Sequence, residues 1–442
     1  MSKKHLDGRQ NPLAADAPDD DVERWLNRVH EHFGSGWLDA TGTNTVQMLW
    51  KRRDMLATSE LVSLGHALER LSGHPAWLRG QVRIAKGKDT NNAGGAIFEI
   101  LALGNFDVTD AAVVPAKASQ PGFDGTLVFK SGGRLILSLK RYGTSNHQAE
   151  FNRRAESLRR DVAGGLKQRG ADGFALIAVA ESYPGPAEWA DLRKALDPNK
   201  VSTGDELRMD DWYVRAVPLP DRHDAPLAAS CGSLTVQVIA PFHQNEADNL
   251  RSKLFDACAN LARHGVQEGA LSTNMVYVHV PSSASIADCA TWVRQWFEDY
   301  QAKPVSAVLL YQPAVVRSPD NRSHIHHCFF IERRDESRPL IFGDPNAIPH
   351  LSLPVGTGGR EPSIEQLAFS DGRVLSLRGR YAYQRGDVYR EMVQVDGKNW
   401  SATLESPAPG VHEHAVIPKH FGGSGRAIVQ PRFAPSDDLV LL

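Results

Sequence analysis

The order of apolar segments in the first half of the chain is the feature that most constrains its fold. Apolar residues follow helical spacing, then strand-like runs, then helical spacing again, with glycine and proline between several of the segments. The pattern predicts a helix, three strands, a longer helix and a fourth strand, in that order, over or within residues 93–104, 106–115, 123–129, 135–140, 151–166 and 174–180. The last run is apolar throughout, which is typical of a strand buried on both faces. We therefore expect an α/β core.

The remaining segments predict further domains. The 442 residues are enough for about three domains. Helical spacing precedes the α/β core, strands and helices alternate again after it, and short β-like runs follow among glycines and prolines. The predicted division is a disordered tail, a helical subdomain, the domain that holds the α/β core, a second α/β domain and a small β-rich C-terminal region, over residues 1–20, 20–88, 89–230, 231–345 and 346–442.

Composition and charge exclude several classes of protein. The chain has 50 basic and 52 acidic side chains and is 41% apolar, which excludes a disordered chain and a histone-like nucleic-acid coat. Its 4 cysteines form no CxxC pair, so neither a zinc ribbon nor a disulfide framework is expected. No apolar segment follows the N-terminal lysines, and no run approaches the roughly 18 apolar residues of a membrane span. We expect a soluble, cytoplasmic protein with no membrane partner.

Residues that can bind a metal ion stand out in the predicted core. Glu99 is the only ionisable residue of the helix over 93–104, and a carboxylate in such an apolar helix is costly unless a cation meets it. Asp124 lies on the second strand, and the two-residue alternation of the third strand places Ser138 and Lys140 on one face. Hydrolysis of a phosphodiester needs carboxylates that hold Mg²⁺ and an ammonium group that orients water. Glu99, Asp124 and Lys140 supply these groups.

The same residues form motifs that resemble those of a known family. The motifs are Phe98-Glu99 on the helix, Gly122-Phe123-Asp124-Gly125 at the second strand and Ser138-Leu139-Lys140-Arg141-Tyr142 on the third. In these motifs and in the order of its elements, the chain resembles the PD-(D/E)xK nuclease superfamily and, within it, the Mrr-like restriction endonuclease branch. The likeness covers about residues 93–182.

The resemblance implies a fold, an activity and a role for each residue. The fold is a restriction-endonuclease-like core of order αβββαβ. The activity is cleavage of DNA with Mg²⁺ or Mn²⁺, in restriction or defence against foreign DNA. Asp124 would be the primary metal ligand, and Glu99 would complete the metal environment. Lys140 would position the attacking water, and Ser138 would be a weak ligand or support the ligands from behind.

Ser138 departs from the family pattern, which usually has Glu or Asp there and commonly Gln in the Mrr-like branch. A neutral hydroxyl is a weaker metal ligand, so Glu99 or Glu150 is expected to compensate. We favour Glu99, because a carboxylate in an apolar helix is driven toward its neutral form unless a cation holds it charged. Glu150, by contrast, is sufficiently explained by the dipole of its own helix. If neither compensates, the domain is a catalytically inactive module that binds DNA or a partner protein.

Arginines near the motifs are candidate DNA contacts. Arg141 follows the motif lysine directly, and Arg153 and Arg154 lie on the next helix, where they could bind phosphates without reading the base sequence. Acidic residues such as Glu150 are interspersed among them. A solvated helix face is therefore an equal alternative for this segment.

The second half of the chain holds a histidine-rich segment and leaves a third function open. Ser323–Cys328 reads SHIHHC, but these residues are too tightly spaced for one strand to wrap them around a zinc ion. A core-packed or solvated strand is preferred. Residues 231–442 could mediate self-association or bind a partner protein. A structural assembly protein would show tight self-association without salt-sensitive affinity for DNA.

Overall fold

The structure is a computed structural model that describes most of the chain. The described residues are 9, 18–52, 55–107, 109, 111–117, 122–143, 145–169, 174–197, 206–218, 234–264, 272–281, 284–317, 323–336, 349–359, 366–368, 374–376, 378–386, 390–394, 399–405, 412–418 and 441–442. For some helix and strand residues the backbone alone is described. The predicted tail over 1–20 lies outside the described residues except for residue 9 and residues 18–20.

The chain is a mixed α/β protein, which confirms the general class expected from the sequence. The α-helices of the described residues are α1 (Asp19–Phe33), α2 (Ser35–Leu38), α3 (Thr45–Lys51), α4 (Met55–Arg70), α5 (Pro75–Ala85), α6 (Thr90–Gly104), α7 (Asn146–Arg169), α8 (Pro186–Ala195), α9 (Glu246–His264) and α10 (Ile286–Phe297). The first-half strands are β1 (Ala111–Pro115), β2 (Gly125–Phe129), β3 (Arg134–Arg141), β4 (Phe174–Ala180), β5 (Glu206–Arg208) and β6 (Trp212–Pro218). The later strands are β7 (Leu234–Pro241), β8 (Ser272–His279), β9 (Ala307–Arg317), β10 (Ser323–Arg333), β11 (Thr357–Gly359), β12 (Gln366–Ala368), β13 (Val374–Ser376), β14 (Arg380–Gly386), β15 (Arg390–Gln394), β16 (Asn399–Glu405) and β17 (His412–Pro418).

The chain divides into two compact units, and each contains separated segments. The first unit consists of Met1–Gly143, Asn245–Ser363 and Leu439–Leu442, and the second of Thr144–Gln244 and Ile364–Asp438. This division differs from the consecutive domains expected from the sequence. The reason is that the chain leaves the first unit just after β3 and returns to it just before α9.

The first unit is built on a seven-stranded sheet of order β1-β2-β3-β8-β9-β10-β11. β1, β2 and β3 pair antiparallel, and β3 then pairs parallel with β8, with Ser138 opposite Val276 and Lys140 opposite Val278. The helix and strand that follow β3 in the chain, α7 and β4, belong to the second unit. The single domain expected over 89–230 is therefore divided. The strand beside β3 is β8, which lies more than a hundred residues later in the chain.

The N-terminal helices share one hydrophobic core with α6 and the sheet. Two close helix contacts depend on glycine. A Cβ atom at Gly65 of α4 would lie 2.0 Å from the carbonyl oxygen of Trp25 in α1, and a Cβ atom at Gly104 of α6 would lie 2.5 Å from Cα of Ala67 in α4. The residues expected to form a helical subdomain thus pack directly behind α6, the helix that carries Glu99.

The second unit is built on a five-stranded sheet of order β14-β7-β4-β6-β5, in which β4 and β7 are parallel. Phe151 of α7 and Trp189 of α8 are buried in its core with Trp212 and Tyr381. The C-terminal strands β12–β13 and β15–β17 form small antiparallel sheets. Among the helices described above, none combines the length and the apolar character that a membrane span requires.

Candidate active site

Helix α6 carries Glu99 along the sheet of the first unit. The helix begins after Asp89, whose carboxylate accepts hydrogen bonds from the backbone N–H groups of Asn91 and Asn92 at 3.0 and 3.1 Å. These bonds satisfy two of the donors that a helix leaves open at its start. The apolar residues on both sides of Glu99 are buried in the core shared with β3. The cap and this packing set the position of the carboxylate.

Asp124 lies one residue before β2 and is held by the neighbouring strand β3. Its amide donates to the carbonyl oxygen of Leu137 at 2.8 Å. Its Oδ2 atom accepts a hydrogen bond of 2.6 Å from the amide of Leu139 and a longer one of 3.4 Å from Oγ of Ser138. Ser138 is only 1% exposed. The structure therefore places Ser138 behind Asp124, where its hydroxyl orients the carboxylate.

Glu99 and Asp124 are close enough to repel each other. Burial, and after it the charge of Asp124, raise the pKa of Glu99 from 4.5 to about 8, although the charge of Lys140 opposes the shift. Burial also raises the pKa of Asp124, against the opposing effects of the Leu139 amide, of Lys140 and of Ser138. The Glu99 carboxylate accepts a hydrogen bond of 2.8 Å from Nε2 of Gln81 in α5. The site thus joins two partly buried acidic groups and one lysine.

The two carboxylates suit a divalent cation. Within the described residues, no hydrogen bond or ion pair engages Oδ1 of Asp124 or Oε1 of Glu99. No group of three or more His, Cys, Asp or Glu side chains placed for one ion occurs in that part of the chain. Mg²⁺ needs only one or two carboxylates, because it keeps several of its waters. Two repelling carboxylates with open oxygens therefore fit hydrated Mg²⁺ or Mn²⁺.

A second lysine, Lys253, lies near Lys140. The leucines of β3 face the core shared with α6, so Lys140 lies on the opposite face of the strand. Helix α9 packs against β3 and β8. Burial and the charge of Lys140 lower the pKa of Lys253 on this helix. Sequence reasoning misses Lys253, although a lysine between Leu250 and Leu254 on an apolar helix face is a signal that could identify it.

Arg141 is half-buried in the first unit. A Cβ atom at Gly94 would lie 1.9 Å from its Nη1 atom, so the guanidinium packs on the backbone at the start of α6. Burial lowers the pKa of Arg141, and the charge of the buried Glu60 opposes this shift. These contacts favour a structural role for Arg141 over the DNA contact expected from the sequence.

Glu150, Arg153 and Arg154 lie together on α7, in the second unit. Glu150 accepts hydrogen bonds from Nε and Nη2 of Arg153 at 2.8 and 2.7 Å, and from Nε of Arg154 at 2.5 Å. These bonds lower the pKa of Glu150 to about 2. Both of its oxygens are engaged by arginines of its own helix. The rival carboxylate is thus accounted for without a metal ion.

The same arginines line a groove between α7 and α8. The groove has a volume of about 400 Å³, and the residues that line it are Arg153, Arg154, Ser157, Pro186, Trp189, Ala190 and Arg193. Arg193 also pairs with Asp161 at 2.8 Å, and no carboxylate is among the lining residues. Guanidinium groups, a hydroxyl and an apolar floor are suited to a phosphate group and the sugar attached to it.

The histidine-rich segment Ser323–Cys328 begins β10. His327 is 1% exposed and bonds the hydroxyl of Tyr311 at 2.8 Å and the carbonyl oxygen of Val355 at 2.9 Å. Burial lowers its pKa to about 4. The side chain of His324 lies outside the described residues. His327 is therefore a core histidine with both ring nitrogens engaged.

The structure brings together Glu99, Asp124, Ser138 and Lys140 in the first unit, and it adds Gln81 and Lys253, which sequence reasoning misses. Gln81 and Lys253 come near the other site residues only because α5 and α9 pack against the elements that carry them. Comparison with protein-family models, with curated proteins and with solved structures found no match for this chain. Its function must therefore be inferred from the chemistry of these residues.

Proposed function

We propose that this protein is a divalent-metal-dependent endonuclease that hydrolyses phosphodiester bonds of DNA. The observation that carries the proposal is the electrostatic interaction of Glu99, Asp124 and Lys140, in which two partly buried carboxylates with open oxygens lie near one lysine. Two repelling carboxylates are stabilised by a bound dication, and phosphodiester hydrolysis needs such an ion together with a positioned ammonium group.

The topology of the first unit supports a restriction-endonuclease-like core of the PD-(D/E)xK type. Strands β1, β2, β3 and β8 are neighbours in one sheet, in which β8 is parallel to β3. Helix α6 precedes β1 in the chain, helix α9 precedes β8, and both helices pack against this sheet. This is the order helix, three strands, helix, strand. In this proposal the core is interrupted by residues 144–244, which enter between β3 and α9. The Mrr-like motifs then belong to a core that is closed by later residues than the sequence suggests.

Each residue of the site has a proposed role. Asp124 and Glu99 would hold Mg²⁺ or Mn²⁺, which stabilises negative charge on the phosphate and lowers the pKa of water. Lys140 would donate hydrogen bonds that orient the attacking water. Lys253 would add positive charge for the phosphate, because it lies near Lys140. Ser138 would keep Asp124 in its rotamer through the hydroxyl bond.

DNA is the proposed partner, and Arg153 and Arg154 are proposed to contact its backbone through the groove that they share with Arg193. Such contacts position a duplex without reading its sequence. Restriction of foreign DNA in the cytoplasm is the biological role that we propose on the basis of the resemblance. Self-association or protein binding through residues 231–442 stays a prediction.

One observation favours a second candidate, a nuclease fold that binds DNA without cutting it. Ser138 replaces a carboxylate of the family pattern and is buried behind Asp124. Of the residues assigned to the site, two carboxylates, Glu99 and Asp124, are then left for the metal ion. In this alternative the charged residues of the site would serve binding alone.

Plasmid nicking separates the two candidates. Supercoiled plasmid is incubated with purified protein and Mg²⁺ or Mn²⁺, with and without EDTA, in parallel with Asp124→Asn. Nicking that needs the metal ion and is lost in the variant supports the endonuclease. Salt-sensitive DNA binding without nicking in either cation identifies the inactive binding module.

A further inference from the structure

The side-chain amide of Gln81 in α5 has a hydrogen-bond partner for its nitrogen but, among the described residues, none for its oxygen. Its Nε2 atom donates a hydrogen bond of 2.8 Å to Oε2 of Glu99. Its Oε1 atom is buried, and among the described residues no donor reaches it. The two atoms belong to one planar amide, so the bond to Glu99 also fixes the direction of Oε1.

A buried acceptor without a partner costs about 1–3 kcal/mol, and folded proteins rarely leave one. The missing donor must lie beside Glu99, since the amide is anchored there. When a bound cation holds Glu99 ionised, its carboxylate has no proton to donate. The waters of a hydrated divalent cation are strong donors, and Mg²⁺ keeps several of them when it binds to proteins.

We propose that Gln81 is a positioning residue of the cation site: Nε2 holds the Glu99 carboxylate, and Oε1 accepts a hydrogen bond from a water molecule on the divalent cation. This inference rests on the proposed function, because it requires the cation to bind at Glu99 and Asp124. It assigns α5, which lies outside the motif-bearing segments, a part in the metal site. Mutation of a residue that orients a metal ligand in this way typically lowers metal affinity by about 10- to 100-fold.

The first test measures Mn²⁺ binding to the full chain by titration calorimetry, with the metal alone and no DNA. Gln81→Met keeps the length of the side chain and removes both hydrogen-bonding atoms. We expect Mn²⁺ affinity to fall by about 10-fold or more. The matched control is Gln295→Met, because Gln295 is exposed and bonds Arg251 at 2.9 Å in the same unit. The control should bind Mn²⁺ as the wild type does.

A second variant keeps the acceptor and removes the donor to Glu99. Gln81→Glu retains an oxygen that can accept from a metal-bound water, and it adds a negative charge beside the cation. Both features favour Mn²⁺ binding at least as tight as in the wild type. Weaker binding in this variant overturns the role of Gln81 even if Gln81→Met does not fold.

The outcomes separate this inference from the proposed function. Mn²⁺ binding that is lost in Asp124→Asn and unchanged in Gln81→Met leaves the metal site standing and overturns the role of Gln81. Weaker binding in Gln81→Glu than in the wild type also overturns it. A wild-type protein that binds no Mn²⁺ overturns the metal site and the role of Gln81 together.

Discussion

The amide of Leu139 donates a hydrogen bond of 2.6 Å to Oδ2 of Asp124. The donor is a backbone group of β3 between Ser138 and Lys140, so the strand that carries the lysine also fixes the carboxylate. The register of β2 and β3, with Gly125 opposite Leu137, determines this contact. Asp124 is therefore positioned by the strand itself, which is what the proposed cation site needs in order to act without reorganisation.

Asp124→Asn and Lys140→Ala should each abolish metal-dependent nicking. Asparagine keeps an oxygen that accepts from the Leu139 amide but removes the charge that a cation requires. Loss of a metal ligand removes several kcal/mol of stabilisation, so we expect at least about a 100-fold lower rate. Plasmid nicking measures it, and Asp248→Asn, an exposed change on α9, is the control. Wild-type rates in either variant would show that the site is wrongly assigned.

Glu99→Gln and Glu150→Gln test which carboxylate compensates for Ser138. We expect strong loss of Mg²⁺-dependent cleavage in the first variant. Near-normal rates are expected in the second at saturating DNA, because Glu150 is occupied by Arg153 and Arg154 on its own helix. The reverse pattern would assign the ligand to α7, and loss in neither variant would exclude both as essential ligands.

In the metal-free protein, the contribution of Glu99 to stability should fall as the pH rises. The pKa of Glu99 is raised from 4.5 to about 8 in the folded chain, so between these values the folded state holds a proton that the unfolded state has lost. The contribution of Glu99 to stability is therefore full below about pH 4.5, falls by up to about 1.4 kcal/mol per pH unit and levels off above pH 8. Urea unfolding in EDTA at a series of pH values measures this slope.

Glu99→Gln is the control for the pH dependence, because a glutamine does not titrate. The variant should lack the part of the slope that Glu99 contributes. An identical slope in both proteins would mean that Glu99 is not the group that holds the proton.

The sequence predicts elements well and neighbours poorly. Phe174–Ala180 is predicted as a buried strand and is one, because a continuous apolar run reports burial on both faces. Burial does not report which strand lies alongside, and the sheet that β4 joins is not that of β3. Glu99 and Asp124 are predictable because each is conspicuous in its own segment. Gln81 and Lys253 become part of the site only through tertiary packing, which periodicity does not encode.

Gly65→Ala should destabilise the first unit. A Cβ atom there would lie 2.0 Å from the carbonyl oxygen of Trp25, a backbone atom that moves only if α1 and α4 separate. We expect a loss of about 1–3 kcal/mol, as for other overpacked interiors. Gly80→Ala is the matched control, because no atom of the described residues lies within 4 Å of a Cβ atom there, and alanine favours the helix by about 0.5–1 kcal/mol. Urea midpoints that move together would contradict the close helix contact.

Arg153→Ala with Arg154→Ala should weaken DNA binding and flatten its salt dependence. Each phosphate contact that is lost reduces the slope of log affinity against log salt by about 1, so the double variant should lower it by about 2. Glu150→Gln should act in the opposite direction, because it releases both guanidinium groups from their hydrogen bonds. Fluorescence anisotropy with a labelled duplex at several salt concentrations gives these slopes.

Arg208→Ala is the control, since Arg208 is an exposed arginine of the same unit and lies 3.9 Å from Glu181. Equal slopes for the wild type and the double variant would mean that this face of α7 is solvated and that the DNA contacts lie elsewhere.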